Sequence, residues 1–142
     1  MTQKYNVAVA GATGAVGTEI VQILEQRNFP IDKLFLLASS KSKGKKVEFR
    51  DQEIVVEDLS EFDFSKAHIG LFSPGGKISA EFAPKAAKAG CIVIDNTSHF
   101  RMQQNIPLIV PEVNANALNY FFDDENRTNI ISNPNCSTIQ TV

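Results

Sequence analysis

The hydrophobic positions of this chain fall into two kinds of segment, continuous apolar runs and segments with helical spacing. The runs Tyr5–Ala10, Leu34–Ala38, Ile69–Phe72 and Cys91–Asp95 are short and mostly apolar, as strands are when both faces of a sheet are covered. In Ala15–Arg27 the apolar residues Val16, Ile20, Ile23 and Leu24 recur at helical spacing, which predicts an amphipathic helix. The beginning of the chain therefore predicts a strand, a helix and a second strand.

The later part of the chain continues this alternation. Its further predicted elements are a hairpin, two helices and a strand, at Val47–Arg50 with Glu53–Glu57, Ser79–Ala89, Asn114–Leu118 and Asn129–Ser132. Apolar strands that alternate with helices predict an α/β fold, with a mostly parallel sheet and helices on both faces.

Composition narrows the class of protein. The chain has 142 residues, 43% of them hydrophobic, and a net charge of −2, which fits one globular domain and excludes a disordered chain. The charge also argues against nucleic acid as a partner of the whole chain, and every apolar run is far shorter than the roughly 18 residues of a membrane span. The polar N-terminus does not resemble a signal peptide, and two cysteines form no disulfide framework. We expect a cytoplasmic protein without a metal site.

A glycine-rich loop, Gly11-Ala12-Thr13-Gly14-Ala15-Val16-Gly17, joins the first strand to the first helix. In this context we expect Gly11 to allow a tight turn, Gly14 to let the backbone approach a pyrophosphate, and Gly17 to permit close packing. The phosphates would bind the N–H groups at the start of the helix. The loop therefore predicts a dinucleotide-binding, Rossmann-like fold, and the alternative is a tight turn without a ligand.

The residues after the second strand decide which dinucleotide is expected. An NAD site usually has a carboxylate there, which holds the 2′-hydroxyl of the ribose. Here Ser39–Lys46 contains four lysines, three serines and no carboxylate, which are donors suited to a 2′-phosphate. A solvated surface loop is the alternative. We predict NADP rather than NAD as the cofactor.

Cys136 follows Asn133-Pro134-Asn135, where the proline favours an extended residue before it and a sharp turn into a new helix. A thiol at a helix N-terminus has a lowered pKa and a larger thiolate fraction, as a nucleophile needs. Asn135 beside it could direct its amide to the oxygen of a bound acyl group. The residues alone support this interpretation and a small buried cysteine about equally. Cys91, which opens an apolar strand, fits the buried alternative.

Five motifs in a fixed order carry a resemblance to a known family. They are Gly11–Gly17, Phe72-Ser73-x-Gly75-Gly76, Asp95-Asn96-Thr97-Ser98-x-Phe100-Arg101-Met102, Val110-Pro111-Glu112-Val113-Asn114 and Asn133-Pro134-Asn135-Cys136-Ser137-Thr138. They span nearly the whole chain, which resembles the N-terminal half of aspartate-semialdehyde dehydrogenases. The resemblance implies an NADP-dependent enzyme that converts L-aspartyl 4-phosphate to L-aspartate 4-semialdehyde through a cysteine thioester. Such an enzyme serves the biosynthesis of lysine, diaminopimelate, threonine and methionine.

The resemblance also implies roles for individual residues. Cys136 would be the nucleophile, Asn135 would hold the acyl oxygen, and Arg101 would bind the substrate's phosphate, although an ordinary loop arginine is the alternative. The residues expected to contact NADP are Gly11, Thr13, Gly14, Ala15, Val16 and Gly17 around the pyrophosphate, Ser39, Ser40, Lys41 and Ser42 at the 2′-phosphate, and Ser73, Gly75, Gly76 and Asn96 near the nicotinamide. The family commonly has an arginine where this chain has Lys41, so a point charge would replace bidentate recognition.

The general acid–base group of this reaction is missing from the predicted site. Histidine is the usual choice, but His68 opens a predicted strand and His99 lies where the family does not require a histidine. The resemblance places the catalytic histidine in a second, C-terminal domain. We therefore expect residues 1–142 to form an NADP-binding domain that ends just after the cysteine turn and cannot turn over substrate alone. The full-length enzyme is expected to be a homo-oligomer that acts on a small molecule, with neither nucleic acid nor membrane as a partner.

Two alternatives to this function stay open. N-acetylglutamyl-phosphate reductases share a glycine loop and a nucleophilic cysteine, although their cysteine usually follows Gly-Asn. A non-catalytic NADP-binding module is the second alternative, and it would need neither Cys136 nor Arg101.

Overall fold

The computed structural model describes residues 3–103, 105–123 and 128–134. In these ranges the secondary structure consists of eight strands and four α-helices. In chain order they are β1 (Tyr5–Ala10), α1 (Ala15–Gln26), β2 (Ile31–Ala38), β3 (Lys46–Phe49), β4 (Gln52–Val55), β5 (Glu57–Asp58), β6 (Ile69–Phe72), α2 (Gly76–Lys88), β7 (Ile92–Asp95), α3 (Pro111–Asn114), α4 (Ala117–Asp123) and β8 (Ile130–Ser132). Two 3₁₀ turns, Leu59–Glu61 and Phe64–Lys66, lie between β5 and β6.

Six of the strands form one parallel sheet, in the order β5-β2-β1-β6-β7-β8. The chain runs from β1 outward to β2 and β5, and then returns to β6 on the other side of β1. Strand order therefore reverses between β1 and β6. In open α/β sheets the crevice at the carboxyl ends of such strands is the usual place for a ligand.

The two faces of the sheet have separate cores because side chains alternate along each strand. Val7 and Val9 of β1 pack on the side covered by α1, together with Val21 and Leu24 of that helix. The other face carries Ala8 and Ala10, which belong to the cluster that contains the buried alanines of α2, Ala83, Ala86 and Ala87. The predicted α/β sheet with helices on both faces is confirmed.

Helix α1 shows a small difference from the predicted apolar face. It buries Gly17, Val21 and Leu24, whereas Val16 and Ile23 are 46% and 43% exposed. The spacing is helical as predicted, but the stripe that faces the sheet is shifted by one residue. Because Gly17 has no side chain, the helix lies close against the preceding loop at this position.

The hairpin is confirmed, but its second strand is shorter than predicted. Strand β4 ends at Val55, and Glu57–Asp58 leaves the hairpin to pair with Leu37 and Ala38 at the edge of the main sheet. The hairpin turns at Arg50 and Asp51, both with positive φ, which is the backbone of a type I′ turn.

Helix boundaries in the second half also differ from the predicted ones. Helix α2 begins at Gly76, three residues before the predicted start, because Gly75 adopts a φ of +96° and turns the chain early. The predicted helix at Asn114–Leu118 is two short helices that break at Ala115 and Asn116. Within the described ranges, no helix has the length and hydropathy that crossing a bilayer requires.

Candidate functional site

A cavity of about 420 Å³ lies at the point where the strand order reverses. Its walls come from the carboxyl ends of β1, β2, β5 and β6 and from one side of α2. The lining residues are Gly11, Thr13, Gly14, Ala38, Ser39, Ser40, Asp58, Leu59, Ser60, Ser73, Pro74, Ile78 and Phe82. Six of the predicted cofactor residues are thus brought together: Gly11, Thr13, Gly14, Ser39, Ser40 and Ser73.

Two glycines of the loop are required by close backbone packing. Gly11 has a φ of +82°, and a Cβ there would lie 2.6 Å from the carbonyl oxygen of Ser73. At Gly17 a Cβ would lie only 2.0 Å from the carbonyl oxygen of Gly11. These contacts hold the loop against both α1 and the end of β6.

Gly14 differs because the protein itself does not crowd it. Among the described residues, a Cβ at Gly14 would meet only the Gly11 carbonyl oxygen, at 3.4 Å, and its φ of −78° is accessible to any residue. Gly14 is the N-cap of α1 and makes no side-chain cap. A side chain at this position would project from the protein surface without a clash, so packing within the chain does not explain the glycine.

The N-terminus of α1 presents free donors to the cavity edge. The N–H groups of Ala15, Val16 and Gly17 have no partner within the helix, no side chain caps them, and the first turn contains no acidic residue. The helix dipole adds partial positive charge at this end. The geometry suits an anion that approaches from the carboxyl edge of the sheet.

The serine–lysine loop lies directly beside the glycine loop. The hydroxyl oxygens of Thr13 and Ser42 are 3.3 Å apart, although the residues are far apart in sequence. Two lysines of the loop are paired: Lys43 with Glu61 at 3.0 Å and Lys46 with Glu53 at 3.7 Å, in exposed surroundings. Lys41 and Lys45 form no ion pair within the described residues, so the loop's unpaired charge is smaller than its composition indicates.

Sequence reasoning missed the contribution of Asp58, Leu59 and Ser60 to the cavity. The Asp58 carboxylate accepts hydrogen bonds from the Ser60 amide at 2.9 Å and from its hydroxyl at 2.7 Å. These bonds hold the pKa of Asp58 below its usual value of 3.8. The Asp-x-Ser pattern would have indicated a cap, but only the pairing of β5 with β2 places it in the cavity wall.

Arg101 belongs to a second cluster, at the carboxyl ends of β7 and β8. Its Nε donates to the carbonyl oxygen of Asn133 at 2.9 Å, and its Nη2 donates to that of Asn96 at 2.8 Å. The Asn133 amide also donates to Oδ1 of Asn96 at 2.9 Å. Arg101 therefore joins the loops that follow two neighbouring strands, and it is not an isolated loop arginine.

The remaining predicted residues are spread along the same edge of the sheet. Gly75 and Gly76 lead into α2 beside Ser73, and no atom of the described residues lies within 4 Å of a Cβ at either position. Asn96 does not line the cavity but belongs to the Arg101 cluster. Asn135 and Cys136 lie outside the described residues.

Cys91 has the surroundings of a packing residue. It is fully buried in the core below α2, and burial raises the pKa of its thiol to about 12. A thiol in such surroundings stays protonated and unreactive. Its interpretation as a packing residue agrees with the structure.

The sequence of this chain is also similar to those of known proteins. Residues 6–120 match the family described as semialdehyde dehydrogenase, NAD binding domain. Aspartate-semialdehyde dehydrogenase 2 of Vibrio cholerae is 56% identical over 140 residues, which cover 99% of this chain and 40% of that protein. The chain thus spans about 40% of the length of these curated relatives.

The fold is also similar to that of solved structures. Aspartate semialdehyde dehydrogenase II from Vibrio cholerae, complexed with ASA, superposes with a TM-score of 0.92 at 55% identity, over 98% of this chain and 44% of that one. The enzyme from Candida albicans, solved with NADP, has a TM-score of 0.73 at 25% identity, over 96% and 44% of the two chains. The resemblance carried by the five motifs is therefore confirmed, and the chain belongs to the semialdehyde dehydrogenase NAD-binding domain family.

Proposed function

We propose that this chain is the nucleotide-binding part of an NADP-dependent aspartate-semialdehyde dehydrogenase. The observation that carries the proposal is the cavity between the uncapped N-terminus of α1 and the serine–lysine loop, at the reversal of strand order. The whole enzyme would reductively dephosphorylate L-aspartyl 4-phosphate, a step toward lysine, threonine and methionine. The names of the relatives from Vibrio cholerae and Candida albicans support the same assignment.

The residues present fit a dinucleotide. The backbone packs tightly at Gly11 and Gly17 but leaves space above Gly14, so a pyrophosphate could approach the N–H groups of Ala15 and Val16. Leu59, Ile78 and Phe82 give the cavity an apolar wall against which a planar ring could pack. When bound, the reduced nicotinamide would supply the hydride that the reduction needs.

The serine–lysine loop supports NADP over NAD. Lys41 has no carboxylate partner among the described residues, and Ser39, Ser40 and Ser42 add hydroxyl donors around it. The acidic residue of the cavity, Asp58, already accepts two hydrogen bonds from Ser60. A 2′-phosphate on the ribose would meet cation and donors here, whereas a bare 2′-hydroxyl would leave Lys41 without a partner.

The chemical step would depend on Arg101, at the carboxyl ends of β7 and β8, and on residues that follow β8 in the sequence. We assign the nucleophile to Cys136: its thiolate attacks the acyl carbon of the substrate, the acyl–phosphate bond breaks, and inorganic phosphate leaves. Arg101 has five N–H donors, of which two are used on the carbonyl oxygens of Asn96 and Asn133. Among the described residues the other three have no acceptor and would be available to the substrate's phosphate, and Asn135 would hold the acyl oxygen.

Cofactor titration tests the nucleotide assignment. Isothermal calorimetry of the purified chain should show tighter binding of NADPH than of NADH. Lys41→Ala should weaken the binding of NADPH about tenfold, as the loss of a charge-assisted contact does. Lys33→Ala, a lysine at the exposed start of β2, is the matched control and should leave both affinities unchanged. Equal affinities for the two cofactors in the wild-type chain would overturn the NADP assignment.

Alkylation tests the nucleophile. Iodoacetamide should modify Cys136 much faster than Cys91, whose thiol is buried, and an acyl-phosphate analogue should protect Cys136. Slow modification of both cysteines would favour the non-catalytic binding module. Protection by an N-acetylglutamyl but not by an aspartyl analogue would favour the related reductase.

A further inference from the structure

Three polar side chains are fully buried in the part of the chain that the structure describes: Ser79, Asp95 and Ser132. They lie together on the α2 side of the sheet. Ser79 is in the first turn of α2, Asp95 ends β7, and Ser132 is the register partner of Asp95 on β8. Burying a carboxylate costs free energy unless hydrogen bonds compensate for the lost water, so Asp95 needs hydrogen-bond donors inside the protein.

The Asp95 carboxylate is held by three donors. The Ser79 hydroxyl donates to Oδ1 at 3.0 Å, the Thr97 amide donates to Oδ1 at 3.0 Å, and the Thr97 hydroxyl donates to Oδ2 at 2.9 Å. None of the described lysines, arginines or histidines forms an ion pair with it. Among the described residues, the hydrogen bonds to this carboxylate therefore come from two segments, the start of α2 and the loop after β7.

The loop held by Asp95 is the one that carries Arg101. Thr97 lies between Asn96, whose carbonyl oxygen accepts from Arg101 Nη2, and the arginine itself. The backbone carbonyl of Asp95 accepts from the amide of Asn133 at 2.8 Å, and Asn133 provides the other carbonyl oxygen that binds Arg101. Asp95 therefore contacts both segments that fix the guanidinium, one through its side chain and one through its backbone.

We propose that Asp95 is a positioning residue that holds the guanidinium of Arg101 in one orientation for an anion, through Thr97 and the Asn96 carbonyl. With Nε and Nη2 fixed on carbonyl oxygens, the arginine presents its remaining donors without a further loss of side-chain freedom on binding. The proposal rests on the proposed role of Arg101 as the phosphate ligand. Through Ser79 the same carboxylate also fixes the first turn of α2, which begins at the wall of the nucleotide cavity.

The test uses the 142-residue chain, with inorganic phosphate as the probe. Its first readout is hydrogen exchange of the Arg101 Nε–H by NMR, which is slow while the donor is held by Asn133. Thr97→Val removes the hydroxyl bond to Asp95 and keeps the side-chain shape, whereas Thr97→Ser restores the hydroxyl. Val93→Ala, a buried position on the same strand, is the matched control that loses packing without touching the carboxylate.

The expected result is faster Nε–H exchange, by about tenfold, in Thr97→Val, the change that loss of one charge-assisted hydrogen bond would produce. Thr97→Ser should exchange as the wild type does, and so should Val93→Ala, although it is less stable. If Thr97→Val exchanges this proton at the wild-type rate, the proposal is overturned, because the contact with Asp95 would then not affect the orientation of Arg101. If that variant does not fold, Asp95→Asn, which keeps the shape and loses the charge, takes its place with the same expected and contrary results.

The second readout is the dissociation constant of phosphate, followed by the shifts of the Arg101 signals. This constant should rise about tenfold in Thr97→Val, in parallel with the loss of exchange protection, and stay unchanged in Val93→Ala. A different outcome is faster exchange in Thr97→Val together with no phosphate-dependent shift in the wild-type chain. It would contradict the proposed role of Arg101 as the phosphate ligand but would still support its positioning by Asp95. Unchanged phosphate affinity in Thr97→Val would count against the positioning instead.

Discussion

The glycine loop and the Arg101 cluster lie at the same edge of one sheet but are built differently. The glycine loop uses backbone almost alone: two glycines at which a Cβ would overlap backbone atoms, and a helix end whose N–H groups are capped by no described side chain. The Arg101 cluster depends on side chains: Ser79 donates to Asp95, the Asn133 side-chain amide donates to Asn96, and Arg101 donates to the backbone carbonyl oxygens of Asn96 and Asn133. A backbone site is specified by a few consecutive residues, whereas a side-chain site depends on the whole sheet being assembled.

The largest expected effect is on the glycine loop. Gly17→Ala should destabilise the fold by about 3 kcal/mol, since its Cβ would overlap a fixed backbone carbonyl. Gly14→Ala should cost less than about 1 kcal/mol, because no protein atom is closer than 3.4 Å, yet it should weaken NADPH binding. Urea unfolding and calorimetry measure the two quantities. Equal stability losses in the two variants would show that the loop is not divided into packing and ligand positions.

A smaller effect is expected at the buried serine of the Arg101 cluster. Ser79→Ala should cost about 2 kcal/mol, because it removes a hydrogen bond to a buried carboxylate. Ser60→Ala removes a hydroxyl bond of similar length to the exposed carboxylate of Asp58 and should cost much less, because water replaces it. Urea unfolding of both variants is the measurement, and a larger loss for Ser60→Ala would contradict the account.

The smallest effect concerns the acid stability of the two 3₁₀ turns between β5 and β6. Asp58 and Asp63 cap the two 3₁₀ turns, and hydrogen bonds from Ser60 and Ser65 lower the pKa of each carboxyl. Their contribution to stability is present above the unfolded pKa of about 3.9 and is lost as pH falls through the lower folded-state pKa. Stability should therefore fall with pH in this acid range, and less steeply in Asp58→Asn and Asp63→Asn. An unchanged slope in both variants would show that the caps contribute nothing.

The sequence predicts the sheet well because its signals are local. The apolar runs of β1 and β6 are confirmed to the residue, and the glycine spacing places the α1 turn. The hairpin prediction wrongly includes Glu57, since Glu57 and Asp58 become a strand only by pairing with β2. A local pattern carries no information about that partner.

The same limit applies to the candidate site. Thr13 and Ser42 are brought within 3.3 Å only by the neighbouring positions of β1 and β2, and Glu61 reaches Lys43 from a turn that the sequence does not place near it. Arg101 was identified by resemblance alone, because nothing in its own segment shows that Asn133 would bind it. The contact between Ser79 and Asp95 likewise joins a helix to a strand end and has no sequence signature.

Amide mapping by NMR tests the central claim most directly. Titration of the chain with NADPH should give saturable shifts that are largest at the amides of Thr13–Gly17 and Ser39–Ser42, around the cavity at the reversal of strand order. NADH should shift the glycine loop and leave Ser39–Ser42 largely unchanged. Shifts that cluster instead around Lys88 and Gln103, which line a separate cavity at the end of α2, would contradict the account.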